Sequence, residues 1–246
     1  MDKNKRKEKI KACVAFALII IIIIIAIIIN FKYSIEGEKE MPFKISKIIG
    51  VSTATVNTNE GTTEKWNMNV IQNNDIYFSI EKVGENDEKI QSVIFENINV
   101  TKSPNVGYIA TYMPTSEENK LFNYKEDTKV QEGRLEYKGG KKSNSKTLEI
   151  GNQGGNIILS FCNMNIGNFI SNEVEEISYD GKMLETMGIK QEDLQFEVNF
   201  DFIIKTTKNN YKTNISLQLP CGDMSQEGKA SFEKTDNSEY IFKRVK

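Results

Sequence analysis

The chain has no histidine and only three cysteines, four prolines and one tryptophan in 246 residues. Without an imidazole, neither Ser-His-Asp nor Cys-His catalysis is available. Most zinc sites are excluded as well, because three scattered cysteines cannot supply a ligand set. The glycine-rich stretch Gly151–Gly155 joins two predicted strands, whereas a phosphate-binding loop opens onto a helix. We therefore expect no cofactor and no resident metal, and the pattern selects no catalytic residue.

The sequence also has no excess of basic residues over acidic ones. The sequence has 32 Lys and Arg against 34 Asp and Glu, which gives a formal net charge of −2. The negative charge is concentrated after residue 33, since the first 33 residues hold only Asp2 and Glu8 as acidic side chains. An acidic domain argues against nucleic acid as a partner.

One long apolar run is present, from Ala12 to Ile29, and it contains no charge. At about 1.5 Å per residue a helix of eighteen residues is about 27 Å long, close to the thickness of a bilayer's hydrocarbon core. The run predicts a transmembrane helix over residues 12–30. A cleaved signal peptide is the alternative, but the run exceeds the usual hydrophobic region and no small-residue cleavage site follows it.

The residues around this run predict an orientation. Residues 1–11 form a basic tail with six Lys and Arg, which marks the cytoplasmic side. Residues 31–42 are charged and read as a stalk, and residues 43–246 follow as a domain outside the cell. The predicted location is the plasma membrane, with a single span, the bilayer as a partner and the C-terminal domain extracellular.

The region 43–246 shows the two-residue alternation of strands, and the fold class it predicts is all-β. In Gln195–Thr206, apolar residues occupy one face and polar residues the other. Many short strands between turns predict an antiparallel sandwich, Ig-like or jelly-roll-like. Residues 43–114 and 134–246 are alternatively two lobes, with residues 115–133 as a linker.

Three local features refine this prediction. Asn73-Asn74-Asp75 has turn chemistry and predicts a hairpin between two strands. A shift of phase at Gly50 predicts a bulge there. One short helix is expected over Lys182–Met187, capped by Asp180 and ended by Gly188.

Candidate site residues are few. Glu173, Glu175, Glu176 and Asp180 offer oxygen ligands for calcium, but they lack the D-x-D-x-D-G pattern, and a solvated loop is the preferred interpretation. Cys162 and Cys221 either form a disulfide that closes a loop of about sixty residues or are two buried thiols, and the sequence leaves both open.

Tyr77 is predicted to point to the face opposite Phe78, and Tyr108 and Tyr112 are predicted to share one face of their strand. Together they suggest a platform that stacks on sugars or on a protein. Tyrosines are also common at sandwich surfaces without such a role, and this is the interpretation we favour.

Taken together, the poly-isoleucine run, the string Phe95-Glu96-Asn97-Ile98 and the stretch Leu148–Gly155 resemble uncharacterised single-pass membrane proteins of low-GC Gram-positive, clostridia-like bacteria. The resemblance implies a membrane-anchored β module in an envelope and brings no activity with it.

The function expected from these features is a non-enzymatic binding or envelope-assembly module. Its expected partner is an envelope protein or a cell-wall glycan. A cell-envelope hydrolase using Ser/Lys or paired carboxylates is the first alternative. An extracytoplasmic sensor that signals through a partner is the second.

Overall fold

The structure is a computed structural model that describes residues 14, 16–28, 41–59, 66–115, 121–140, 148–171 and 181–245. Residue 14 and residues 16–28 are helical, and we call this segment α1.

Among the described residues, no helix combines the length and the apolar character needed to cross a membrane. The prediction of a transmembrane helix over residues 12–30 is therefore wrong for the helix that the structure describes. The predicted single-pass location in the plasma membrane depended on that helix, so this prediction is wrong as well.

Two β-sheets dominate the rest of the described chain. The described strands are β1 (Phe43–Asn59), β2 (Trp66–Lys82), β3 (Ile90–Lys102), β4 (Tyr108–Tyr112), β5 (Leu135–Gly140), β6 (Glu149–Gly151), β7 (Gly154–Ser171), β8 (Phe196–Thr206), β9 (Asn210–Leu219), β10 (Lys229–Lys234) and β11 (Lys243–Val245). The five-stranded sheet has the order β10-β1-β2-β7-β4, and the six-stranded sheet has the order β11-β9-β8-β3-β5-β6.

The strand pairs are antiparallel except β5 with β6. The prediction of a mostly β fold with two sheets is confirmed, while the Ig-like or jelly-roll-like assignment stays a prediction. Each sheet contains strands from 43–114 and from 134–246, so the two predicted lobes share both sheets. Residues 121–130 cross the outer face of the five-stranded sheet, and the Val130 amide donates to the Thr111 carbonyl.

Phenylalanines hold the two sheets together. Phe78 on β2 is fully buried, and its ring lies 5.3 Å from that of Phe95 on β3. It also lies 5.4 Å from the ring of Phe202 and 6.1 Å from that of Phe200, both on β8. A polar link adds to this packing, since the buried Tyr137 hydroxyl donates to the Ile158 carbonyl across the sandwich at 2.7 Å.

The predicted turn at Asn73–Asp75 is wrong, because β2 runs straight through these residues. Asn74 is buried on the strand, where its side-chain oxygen accepts from Ser52 at 2.7 Å and from Gln72 at 3.1 Å. Its amide donates to the Phe161 carbonyl at 3.0 Å. Turn-forming residues are tolerated inside a strand when every buried polar group finds a partner.

Gly50 is also not a bulge. The register of β1 against β2 shifts between Ile45 and Lys47 and between Val56 and Thr58, and it is continuous at Gly50. The glycine is needed for packing, because a Cβ at this position would lie 2.3 Å from the Phe232 ring of β10.

Two short helices, not one, precede β8: α2 (Gly181–Thr186) and α3 (Gln191–Leu194). The predicted boundary at Met187 is corrected to Thr186, and the predicted cap Asp180 lies outside the described residues. Both helices cover one end of the five-stranded sheet, where they form a second buried cluster: Ala54, Val70, Ile166, Met183, Leu184, Leu194 and Met224.

Candidate polar cleft and amide strip

A strip of hydrogen-bonded polar side chains lies on the outer face of the six-stranded sheet. We call it the amide strip; its members are Asn97, Asn199, Asp201, Asn214 and Ser216. The Asn199 amide donates to Asn214 at 2.6 Å and to the Ser216 hydroxyl at 2.8 Å. The Asn214 amide donates to Asp201 at 3.1 Å. Because these residues pair across β8 and β9, their planar groups are held in fixed orientations.

Asp201 is the charged centre of the strip. One of its carboxylate oxygens accepts from Asn97 at 2.7 Å and from Lys212 at 3.1 Å. Burial acts to raise the pKa of Asp201, but the hydrogen bonds from Asn97, Asn214 and Lys212 outweigh it, so the pKa lies below its ordinary value. A break in the β3 register next to Asn97, which has φ of 55°, turns its side chain toward Asp201.

A polar cleft of about 320 Å³ opens at one end of this face. Its lining residues are Lys102, Gln191, Gln195, Phe196, Glu197, Gln218, Leu219, Pro220, Gly222 and Asp223. Gln191 fixes its wall, because its amide donates to the Gly222 carbonyl and its carbonyl accepts from the Met224 amide, both at 3.0 Å.

Four side chains of the cleft have no partner. Lys102, Gln195, Glu197 and Gln218 make no hydrogen bond or ion pair with any residue that the structure describes. Glu197 is opposite Lys102 in the β3–β8 register and opposite Gln218 in the β8–β9 register. The cleft therefore presents one cation, one anion and two amides that no described residue binds.

Asp75, on β2, is a second notable group, but it is enclosed. It accepts a hydrogen bond of 2.6 Å from Ser160, and burial raises its pKa to about 6. Residues 121–130 pack nearby, with the Tyr124 ring 5.3 Å from that of Tyr112 and perpendicular to it. No carboxylate or lysine among the described residues contributes to the pKa of Asp75, so Asp75 and Ser160 do not resemble an acid–base dyad.

The residues singled out by sequence have mixed outcomes. The calcium candidates Glu173, Glu175, Glu176 and Asp180 lie outside the described residues.

Cys162 and Cys221 are free thiols. Cys162 is buried beside Asn73, at 3.2 Å from its side-chain oxygen, whereas the Cys221 amide donates to Ser52. Burial raises the pKa of both thiols, to about 11 for Cys221, so neither is a reactive thiolate.

The tyrosines do not form an open platform. Tyr112 is 1% exposed under residues 121–130, whereas Tyr108 on the same strand is 49% exposed. The cleft residues were missed because they look like ordinary solvated positions. Their only signal in the sequence is that Glu197 and Gln218 lie on the polar faces of strongly alternating strands.

The described part of the chain shows neither a metal site nor a serine–lysine pair for catalysis. It contains no group of three or more His, Cys, Asp or Glu that could hold a metal ion. Within the same residues, no serine hydroxyl hydrogen-bonds to a lysine.

No family model matches the chain, and no curated protein or solved structure matches it.

Proposed function

We propose that this protein is a non-catalytic β-sandwich module that binds an oligosaccharide in the polar cleft. The observation that carries the proposal is the convergence on a cleft of about 320 Å³ of four side chains without partners among the described residues: Lys102, Gln195, Glu197 and Gln218. This volume falls at the lower end of the range of small-molecule sites.

The chemistry of the lining favours a polyhydroxylated ligand. A sugar hydroxyl both donates and accepts a hydrogen bond, and the amides of Gln195 and Gln218 do the same. Lys102 supplies donors and Glu197 supplies acceptors, so neighbouring hydroxyls of one sugar ring find complementary groups. The side chains of the amide strip are already oriented by one another, which lowers the entropy cost of extending a ligand along the sheet.

The same lining predicts modest affinity. The aromatic residue of the cleft is Phe196, which is 1% exposed and therefore cannot stack on a sugar ring. Binding would then depend on hydrogen bonds alone, each of which contributes about 1 kcal/mol in exchange with water.

A glycan array probed with the full-length chain, followed by calorimetric titration of the sugars it selects, tests the proposal. We expect Gln218→Ala and Glu197→Ala each to weaken binding about tenfold. Gln91→Ala is a matched control, because Gln91 is an exposed glutamine at the start of β3 and does not line the cleft.

Two results would reject the proposal. One is the absence of any bound sugar on the array. The other is an equal effect of Gln218→Ala and Gln91→Ala. Release of shortened products from a bound oligosaccharide would instead reject its non-catalytic part and favour a hydrolase.

A further inference from the structure

Edge strands are where a sheet can pair with another chain, and natural proteins protect them. The β4 edge is covered, since the Met113 amide donates to the Thr128 carbonyl and the Val130 amide to the Thr111 carbonyl. Strands β6 and β11 are only three residues long. The six-residue edge of β10 has no such cover among the described residues, and its register with β1 is unbroken.

The outward hydrogen-bonding groups of β10 can be identified from its pairing with β1. The Ala54 amide donates to the Gly228 carbonyl at 2.7 Å, so residues 228, 230, 232 and 234 point their backbone groups toward β1. The amides and carbonyls of Lys229, Ser231 and Glu233 therefore point away from the sheet. These groups form the free hydrogen-bonding edge.

This edge is complementary to itself. In an antiparallel pair of two β10 strands centred on Ser231, Ser231 lies opposite its own copy, and Lys229 lies opposite Glu233 of the second copy. The residues placed opposite each other are those whose backbone groups are free, so the ladder hydrogen bonds form. Opposite charges then meet twice across the two-fold axis.

The inner face matches as well. Ala230 would lie opposite the half-buried Phe232 of the second copy, so a small side chain leaves room for a large one. Lys229 and Glu233 now pair within the chain, with Glu227 at 3.6 Å and Lys47 at 3.3 Å. Exposed pairs of this kind contribute little and exchange easily.

We propose that β10 pairs with β10 of a second copy of this chain, centred on Ser231, and joins two five-stranded sheets into one continuous sheet of ten strands. The inference does not depend on the ligand of the cleft, which is lined by other residues.

Charge reversal tests the pairing, measured by sedimentation equilibrium of the full-length chain. We expect the wild type to dimerise. Lys229→Glu places like charges opposite each other twice and should weaken dimerisation at least about tenfold, as should Glu233→Lys. Combining Lys229→Glu with Glu233→Lys should restore it. A monomeric wild type, or a double variant as weak as the single ones, would overturn the proposal.

The register has its own test. Opposed residues of a hydrogen-bonded antiparallel pair have Cα atoms about 5.5 Å apart, within the range of a disulfide. Ser231→Cys should therefore cross-link two chains under mild oxidation. Glu233→Cys is the matched control on the same edge and face, and the two copies of residue 233 would be about 14 Å apart along the strands. Equal cross-linking of both variants would contradict the register centred on Ser231.

Discussion

At the scale of single residues, Asp75 has a carboxyl whose pKa is raised to about 6 from an ordinary value of 3.8 by burial. The folded protein thus holds a proton that the unfolded chain releases between these two values. Below pH 3.8 the carboxyl of Asp75 is protonated in both the folded and the unfolded state, so its burial as a charge does not lower the free energy of unfolding. As pH rises from 3.8 to about 6 the free energy of unfolding falls, and above pH 6 the buried charge opposes folding by roughly 3 kcal/mol.

Asp75→Asn should remove this pH dependence. An asparagine side chain keeps an oxygen that can accept the hydrogen bond from Ser160, and it carries no charge to bury. We expect the variant to unfold at higher urea concentration than the wild type at pH 7, and at about the same concentration near pH 4. Urea titrations at both pH values measure the effect, and an equal difference at the two pH values would contradict it.

At the scale of elements, β10 lies against β1 because Gly50 has no side chain. Gly50→Ala would place a Cβ 2.3 Å from the Phe232 ring and 2.5 Å from the Cys221 sulfur. We expect a loss of about 1–3 kcal/mol in the free energy of unfolding, since overpacked sites distort their neighbours. Gly140→Ala is the control, because nothing lies within 4 Å of its Cβ position. Similar losses for both variants would contradict overpacking against Phe232 as the cause.

The helices α2 and α3 form an apolar cover over the end of the five-stranded sheet. Leu194, at the end of α3, is 1% exposed and belongs to the cluster beneath the two helices. Leu194→Ala should cost about 2–5 kcal/mol through lost burial and a cavity. Glu185→Ala on the exposed side of α2 should cost less than about 0.5 kcal/mol. Chemical unfolding of both variants checks this, and a small cost for Leu194→Ala would mean that the cover is loosely packed.

The strands that were predictable are those in which one face is apolar. The alternation in β8 correctly predicted that Phe196, Val198 and Phe200 are buried. The continuity of β2 was not predictable in the same way. Asn74 reads as a turn residue, and only its partners Ser52 and Phe161, both distant in sequence, make it a strand residue. The polar cleft could not be predicted from the sequence for a related reason. Its side chains come from different strands and loops, and only the topology brings them together.

At the scale of the whole molecule, the described cysteines contribute no covalent link. A disulfide between Cys162 and Cys221 would close a loop of about sixty residues and add roughly 4 kcal/mol. Because both are free thiols, a reductant should leave the urea midpoint of the full-length chain unchanged. A lower midpoint after reduction would show that the two sulfurs are bonded in solution.

The five-stranded sheet joins the two ends of the domain, since β1 at Phe43–Asn59 lies between β2 and β10 at Lys229–Lys234. During synthesis the ribosome releases β1 well before β10. The edge of β1 that pairs with β10 therefore stays unpaired until β10 has emerged. Non-local pairing of this kind is typical of β proteins that fold slowly, and an unpaired strand edge favours aggregation while it lasts.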